Sequence, residues 1–131
     1  MTTLFFDRTF GKRLPHALQL LGVAAEAHQD HFAQDAPDDE WLAAVSTQGW
    51  IVLTSDKRIR FNQAERQALL THGVGCFVFT SGSRPRWDQV RILARAWDRI
   101  QEVIETTPRP FIHSVHADGS VTLLLSGAVG A

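Results

Sequence analysis

Three aspartates mark the places where this chain could do chemistry. Asp7 follows the apolar run Leu4-Phe5-Phe6, Asp56 follows Ile51-Val52-Leu53-Thr54-Ser55, and Asp38 stands with Asp39 and Glu40 just after Pro37. Carboxylates gathered in one partly buried place repel each other and lose hydration, so they need compensation. A hard divalent cation with oxygen ligands supplies it, and magnesium takes only a few carboxylates while leaving positions for water and phosphate. Such an ion polarises a phosphoryl oxygen and activates a water. An aspartate after a strand is also a common turn or helix-cap residue. The chemical reading therefore depends on whether the three segments meet.

The elements around them predict that they do. Leu4 to Phe6 and Trp50 to Thr54 are short, β-prone apolar runs, as are Val23 to His28 and Gly75 to Thr80. Helical patterns fill the gaps: Gly11 to Leu21, closed by Gly22; Pro37 to Gly49, with acids in its first turn where the helix dipole favours them; and residues 63–72, closed by Gly73. A long helix spans Arg86 to Glu105, with Val90, Leu93, Ala94, Trp97, Ile100 and Ile104 assigned to its buried face. Residues 29–36 read as a loop. Phe111 to Val115 and Val121 to Leu125, joined through Asp118-Gly119, read as a β-hairpin.

Strands alternating with helices imply an α/β three-layer sandwich with a central, mostly parallel sheet. One domain over residues 1–131 is expected, with a core of about 3–105 and a C-terminal hairpin of about 110–126. In such a sheet, ligands bind outside the carboxyl ends of the strands. Asp7 and Asp56 both end strands. The helix beginning at Asp38 and Asp39 leads into the Asp56 strand, and in a right-handed crossover its N-terminus lies at that same edge.

Bulk properties restrict the classes. A 44% hydrophobic chain of 131 residues can bury a real core, and a net charge of −1 neither requires nor excludes a polyanionic partner. The distribution is uneven, with acids between Glu26 and Glu40 and Arg or Lys at 57–66 and 84–99. The single Cys76 lies in the apolar run Val74 to Phe79 and reads as a small buried hydrophobe. No apolar run approaches membrane-spanning length, and no signal-peptide pattern opens the chain, so a cytoplasmic location without membrane partners is expected.

Order and spacing of several segments resemble a known family. Phe5-Phe6-Asp7-Arg8, His28-Gln29-Asp30, Pro37-Asp38-Asp39-Glu40-Trp41-Leu42 and Gly49-Trp50-Ile51-Val52-Leu53-Thr54-Ser55-Asp56-Lys57-Arg58-Ile59-Arg60 look like PIN-like toxins of VapC type. The resemblance covers about residues 4–80, and its most specific piece is Gly-Trp-(apolar)-Leu-Thr-x-Asp. It implies a PIN fold and a Mg²⁺- or Mn²⁺-dependent endoribonuclease, the toxin of a type II toxin–antitoxin pair whose small cognate antitoxin is encoded nearby. A homodimer is a further expectation, because the terminal hairpin and the long helix offer apolar edges and such toxins often pair. Asp7, Asp38 and Asp56 match the family's catalytic, metal-binding acids; Asp39 and Glu40 are alternates in register, and Asp30 an outer alternate. A fourth acid common after the next strand is missing, since that strand ends Thr80-Ser81-Gly82. One metal is expected rather than two.

Arg8, Lys57, Arg58 and Arg60 flank the strand-end acids and are candidates for holding RNA phosphates, or equally a salt-bridged rim. Arg84, Arg86, Arg91, Arg95 and Arg99 recur along one side of the last helix, as a solvated face or a partner- or RNA-binding one. Trp41, Trp50, Trp87 and Trp97 read mainly as core. His28, Asp30 and His31 lack the spacing and the further ligands of a zinc site. Two other functions stay open: a receiver-like phosphoacceptor with Asp56 as acceptor and Thr80 and Arg109-Pro110 as switch residues, and a catalytically inactive PIN-like binding domain.

Overall fold

The computed structural model describes residues 2–56, 58–59, 62–81 and 84–126, with the side chains of the last two outside that description. Its strands are β1 (Leu4–Phe6), β2 (Ala25–Ala27), β3 (Ile51–Thr54), β4 (Gly75–Phe79), β5 (Phe111–Val115) and β6 (Val121–Ser126). The helices are α1 (Arg13–Leu20), α2 (His28–His31), α3 (Asp38–Gln48), α4 (Gln63–Thr71) and α5 (Arg86–Thr106). A 3-10 turn, Arg8–Phe10, follows β1.

These six strands form one sheet in the order β2-β1-β3-β4-β5-β6. Neighbours pair in parallel from β2 through β5, and only β6 is antiparallel. The expected hairpin is therefore less of an appendage than its sequence implies. Its first strand is the fifth parallel strand of the core sheet, in register with β4 along its whole length.

The central strands β1, β3 and β4 are buried on both faces because both faces are covered. Alternate residues of β1 divide the core: Leu4 and Phe6 face the side of α1 and α5, whereas Phe5 faces the side of α3 and α4. The chain leaves β1 over one face to reach β2, then returns over the other face to reach β3. That reversal opens a crevice at the carboxyl ends of β1 and β3, the usual ligand site of open α/β sheets. The α5 crossover steps across the sheet in the same direction as the α4 crossover but over the opposite face, so the two have opposite hands.

Three local readings change. Residues 28–31 form the one-turn helix α2 instead of the start of a loop, and strand β2 is confined to Ala25–Ala27. The fully buried stripe of α5 is Gln89, Ile92, Leu93, Ala96 and Ile100, whereas Val90, Trp97 and Ile104 of the expected face are partly buried against the same core and Ala94 is exposed. Val90, Ala94 and Trp97 also line a shallow groove against Leu18, Leu21 and Val23 of the α1 region. Out of phase with the buried stripe, Trp87 is 70% exposed and does not belong to the core. No helix among the described residues is long and apolar enough to cross a membrane.

Candidate active site

Asp7, Asp38 and Asp56 line one narrow cleft, with about 30 Å³ of free space, at the carboxyl ends of β1 and β3. Each arrives on a different element. Asp7 begins the 3-10 turn after β1, Asp38 opens α3, and Asp56 lies two residues beyond β3. Arg8, Arg58, Trp41, Thr54 and Glu65 complete the polar part of the lining.

Asp7 is the most deeply set. Its Oδ1 accepts from the Thr9 backbone N–H at 2.9 Å and from the Thr9 hydroxyl. The Thr54 hydroxyl is a further partner. Those two hydroxyls also tie Asp7 to the β3 end, because Thr9 Oγ1 accepts from Ser55 N–H at 2.9 Å and Thr54 Oγ1 accepts from Asp56 N–H at 3.0 Å. Asp7-Arg8-Thr9 and Thr54-Ser55-Asp56 are thus locked together. Burial pushes the Asp7 carboxyl up to about 6 despite these hydrogen bonds, and the negative charge of Asp56 adds to the rise.

Asp56 behaves oppositely. The guanidinium of Arg58 grips its carboxylate, with Nη2 to Oδ2 at 2.8 Å, and this holds the Asp56 carboxyl below its ordinary range. Its Oδ1 also accepts the Arg58 backbone N–H at 2.9 Å. The duller reading of a strand-end aspartate, a turn or cap residue, thus describes one oxygen each of Asp7 and Asp56, while both carboxylates still line the cleft. Asp38 Oδ1 accepts from Trp41 Nε1 at 3.0 Å and meets Arg8 Nη2 at 3.4 Å.

The alternates lie elsewhere. Asp39 turns to His72 at 3.1 Å, joining the start of α3 to the residue that ends α4. Asp30 pairs with His16, and His31 pairs with Glu26 at 2.9 Å, so the His28-Asp30-His31 segment scatters its polar groups. Glu40 is exposed and outside the cleft lining. Lys57 and Arg60 lie outside the described residues. Arg109 precedes β5 and donates to the Gly49 carbonyl at 2.7 Å, at the sheet edge opposite the acids. That position removes it as a switch residue beside Asp56. The 2-1-3-4-5 order itself is shared by receiver domains and does not discriminate.

Glu65 is the acid that sequence reasoning missed. It comes from the first turn of α4 and not from the end of β4, and Arg58 Nη1 lies 3.7 Å from its Oε1. Its signal was only the Asn62-x-x-Glu65 helix start, which many helices share. Cys76 is fully buried on β4, and burial pushes its thiol up, in keeping with an inert side chain.

The donor set bears on whether a divalent cation fits. Four carboxylates, Asp7, Asp38, Asp56 and Glu65, face the cleft against two guanidiniums, Arg8 and Arg58. The remainder is two negative charges on hard oxygen donors, which suits one Mg²⁺ or Mn²⁺ in charge and chemistry. Among the described residues, no group of three His, Cys, Asp or Glu side chains stands ready to close on an ion. Arg58 occupies both oxygens of Asp56 and would have to yield one of them; its side chain is 60% exposed, so it has room to swing. In charge and donor type the residues suit such an ion, but as they stand the described carboxylates are not gathered to hold one, and Arg58 occupies Asp56.

His28 supports the cleft from behind. It is buried between Phe5, Phe32 and Trp41, with ring centroids 6.0, 5.4 and 5.6 Å away. Neither ring nitrogen has a hydrogen-bond partner among the described residues. Burial, helped by Arg8, pulls its pKa below the ordinary 6.5, so the folded protein binds this proton less well than the unfolded chain. Stability is then lost as pH falls through that region. His28→Leu is expected to raise stability by ~1–3 kcal/mol and to flatten the decline of unfolding midpoint between pH 7 and pH 5. Urea titrations at both pH values check it; an equal or steeper acid decline in the variant would show that His28 is not the group responsible.

A family model described as a PIN-like domain matches residues 2–81. No curated protein and no solved structure matches the chain. The matched span contains all four acids of the cleft and both of its arginines, and it ends just after β4. With more than half its length in that match, and with acids from three segments meeting at the β1–β3 crevice of the sheet, the chain belongs to the PIN-like domain family.

Proposed function

We propose that this protein is a metal-dependent endoribonuclease, the toxin of a type II toxin–antitoxin pair, cutting RNA phosphodiesters in the Asp7–Asp38–Asp56 cleft. PIN-like domains are generally nucleases. The observation that carries the reading is the convergence of three carboxylates, one of them buried and pushed up to about 6, in a cleft with two guanidiniums. Asp7, Asp38 and Asp56 would hold one Mg²⁺ or Mn²⁺, with Glu65 at the rim. Such an ion polarises a phosphoryl oxygen and lowers the pKa of a water.

The chain's own groups supply the rest. Thr9 and Thr54 fix the orientation of the Asp7 carboxylate, and Trp41 fixes that of Asp38. Arg8 and Arg58 carry guanidinium forks suited to phosphate oxygens. When RNA arrives, Arg58 exchanges the Asp56 carboxylate for a phosphate, which frees an acid oxygen as the substrate is seated. The proposed small antitoxin would occupy the same cleft, and a second copy of the chain would cover the apolar surface around Leu20 and Leu21 of the α1 region, which are 89% and 80% exposed.

The test is cleavage of mixed single-stranded RNA with Mg²⁺, with Mn²⁺ and with chelator, beside Asp38→Asn/Asp56→Asn. Metal-dependent fragments from the wild type only are expected. Cleavage that survives chelation, or that the double variant performs equally, overturns the reading.

A further inference from the structure

The geometry points to a second, non-catalytic RNA subsite: a cradle formed by Arg84, Arg91 and Arg95 that holds the phosphodiester backbone of RNA leaving the acidic cleft. This rests on the ribonuclease reading and extends it to a part of the chain outside the family match, which ends at residue 81.

Arg84, Arg91 and Arg95 line one open depression of about 280 Å³ with Asp88, Ile92 and Ala117. Arg91 and Arg95 lie one helical turn apart on the same face of α5, and Arg84 precedes its first residue. Three guanidiniums against the single carboxylate of Asp88 leave two positive charges. Neither Arg84 nor Arg91 has an ion-pair or hydrogen-bond partner among the described residues, and both are exposed. The remaining helix arginines are committed elsewhere: Arg86 to Gln89 at 3.3 Å and Arg99 to Glu102 at 3.9 Å.

Arg95 is anchored. Its Nη1 donates to the Ala117 carbonyl at 3.1 Å, and the β5–β6 turn packs onto the helix at this point. Gly119 there has φ +89°, and a Cβ on it would stand 2.7 Å from Arg95 Cβ, an approach only glycine permits. Because that turn follows the carboxyl end of β5, α5 from Arg95 back to its start lies at the sheet edge that carries the acids. The link to the cleft is close at the helix start, where Arg86 Nη2 lies 2.9 Å from the position of a Cβ on Gly11, four residues after Asp7. Hence the cradle sits along the acid-bearing edge but on the α1–α5 face, across the sheet from α3 and α4. A strand held in both places must cross the edge, so the cradle engages only RNA several nucleotides long.

Binding is measured by fluorescence anisotropy in chelator with labelled single-stranded RNAs of four and sixteen nucleotides. Arg84→Ala/Arg91→Ala is expected to weaken the 16-mer about tenfold and to lower its log–log salt slope by ~1.4, the loss of two phosphate contacts, with binding of the 4-mer unchanged. Arg84→Lys/Arg91→Lys should recover most of the affinity, and a melting curve matching wild type shows that the fold is intact. Equal 16-mer affinity and slope in wild type and Ala variant, with metal-dependent cleavage present in both, overturns the cradle alone. Absence of both RNA binding and cleavage in the wild type overturns the ribonuclease reading with it. If the Ala variant loses only a thermal shift given by inorganic phosphate, the depression serves a free anion and the RNA assignment is wrong.

Discussion

Asp7→Asn is expected to abolish cleavage and at the same time to make the protein more stable at pH 7.5. The sign follows from the proton. Folding raises the Asp7 carboxyl from 3.8 to about 6, so the folded state holds this proton more tightly than the unfolded chain. Its contribution to stability is therefore most favourable below the unfolded value, declines as pH rises through the window between the two, and is a full penalty above the folded value. A rise of this size corresponds to about 3 kcal/mol. Asparagine keeps an acceptor for Thr9 and carries no charge, so most of that penalty disappears. The expected gain is roughly 5–10 °C in melting temperature at pH 7.5, shrinking toward zero at pH 4. Wild-type protein should recover part of the difference on adding Mg²⁺ or Mn²⁺, since a cation stabilises the ionised form, whereas the variant should not. Loss of cleavage of ~10²-fold or more, a barrier change of ~2.7 kcal/mol, should accompany it. A variant that melts at or below the wild type across this pH range would mean that Asp7 is not a strained carboxylate.

The second large effect lies behind the site. Phe5→Ala is expected to cost ~3–5 kcal/mol, a large share of what a domain of this size possesses. Phe5 is fully buried in β1 and stacks on Trp41 and Trp50, with centroids 5.6 and 5.8 Å away, while Phe32 meets it edge-on at 6.1 Å. Removing the ring empties the space beneath α3 and loosens Trp41, whose indole N–H holds Asp38. Denaturant titration should give the stability loss. In protein kept folded at low temperature, metal-dependent cleavage should fall further than it does for a cavity of similar size on the other face, such as Leu93→Ala. Equal losses of cleavage in the two variants would detach Asp38 from the aromatic cluster.

The site was legible in the sequence wherever it depends on chain direction. A strand-end residue of a parallel sheet has one place to go, so Asp7 and Asp56 could be put at a common edge from apolar runs alone, and Asp38 followed from the helix between them. Register within a helix start was less legible. Asp38, Asp39 and Glu40 are equivalent to propensity, and what separates them is tertiary: Trp41 and Arg8 hold the first, His72 draws off the second, and the third faces outward. Glu65 was hidden for the same reason, since its approach to the cleft depends on where α4 packs. The division of α5 between fully and partly buried residues has a related cause. With two apolar flanks, its periodicity allows more than one buried face, and packing beside α1 decides between them. Nor could alternating patterns tell that β5 would extend the parallel sheet, because the partner of a strand is a long-range choice.

The hydrogen bond from Trp41 to Asp38 has an optical consequence. Indole emission shifts with the polarity and charge around its N–H, and here that N–H ends on a carboxylate of the cleft while the ring lies in the apolar cluster. The protein thus carries its own fluorophore on one of the proposed ligands. A cation, a phosphate or an inhibitory partner reaching Asp38 acts on a chromophore already in place, and occupancy of the site becomes a matter of spectroscopy as much as of turnover.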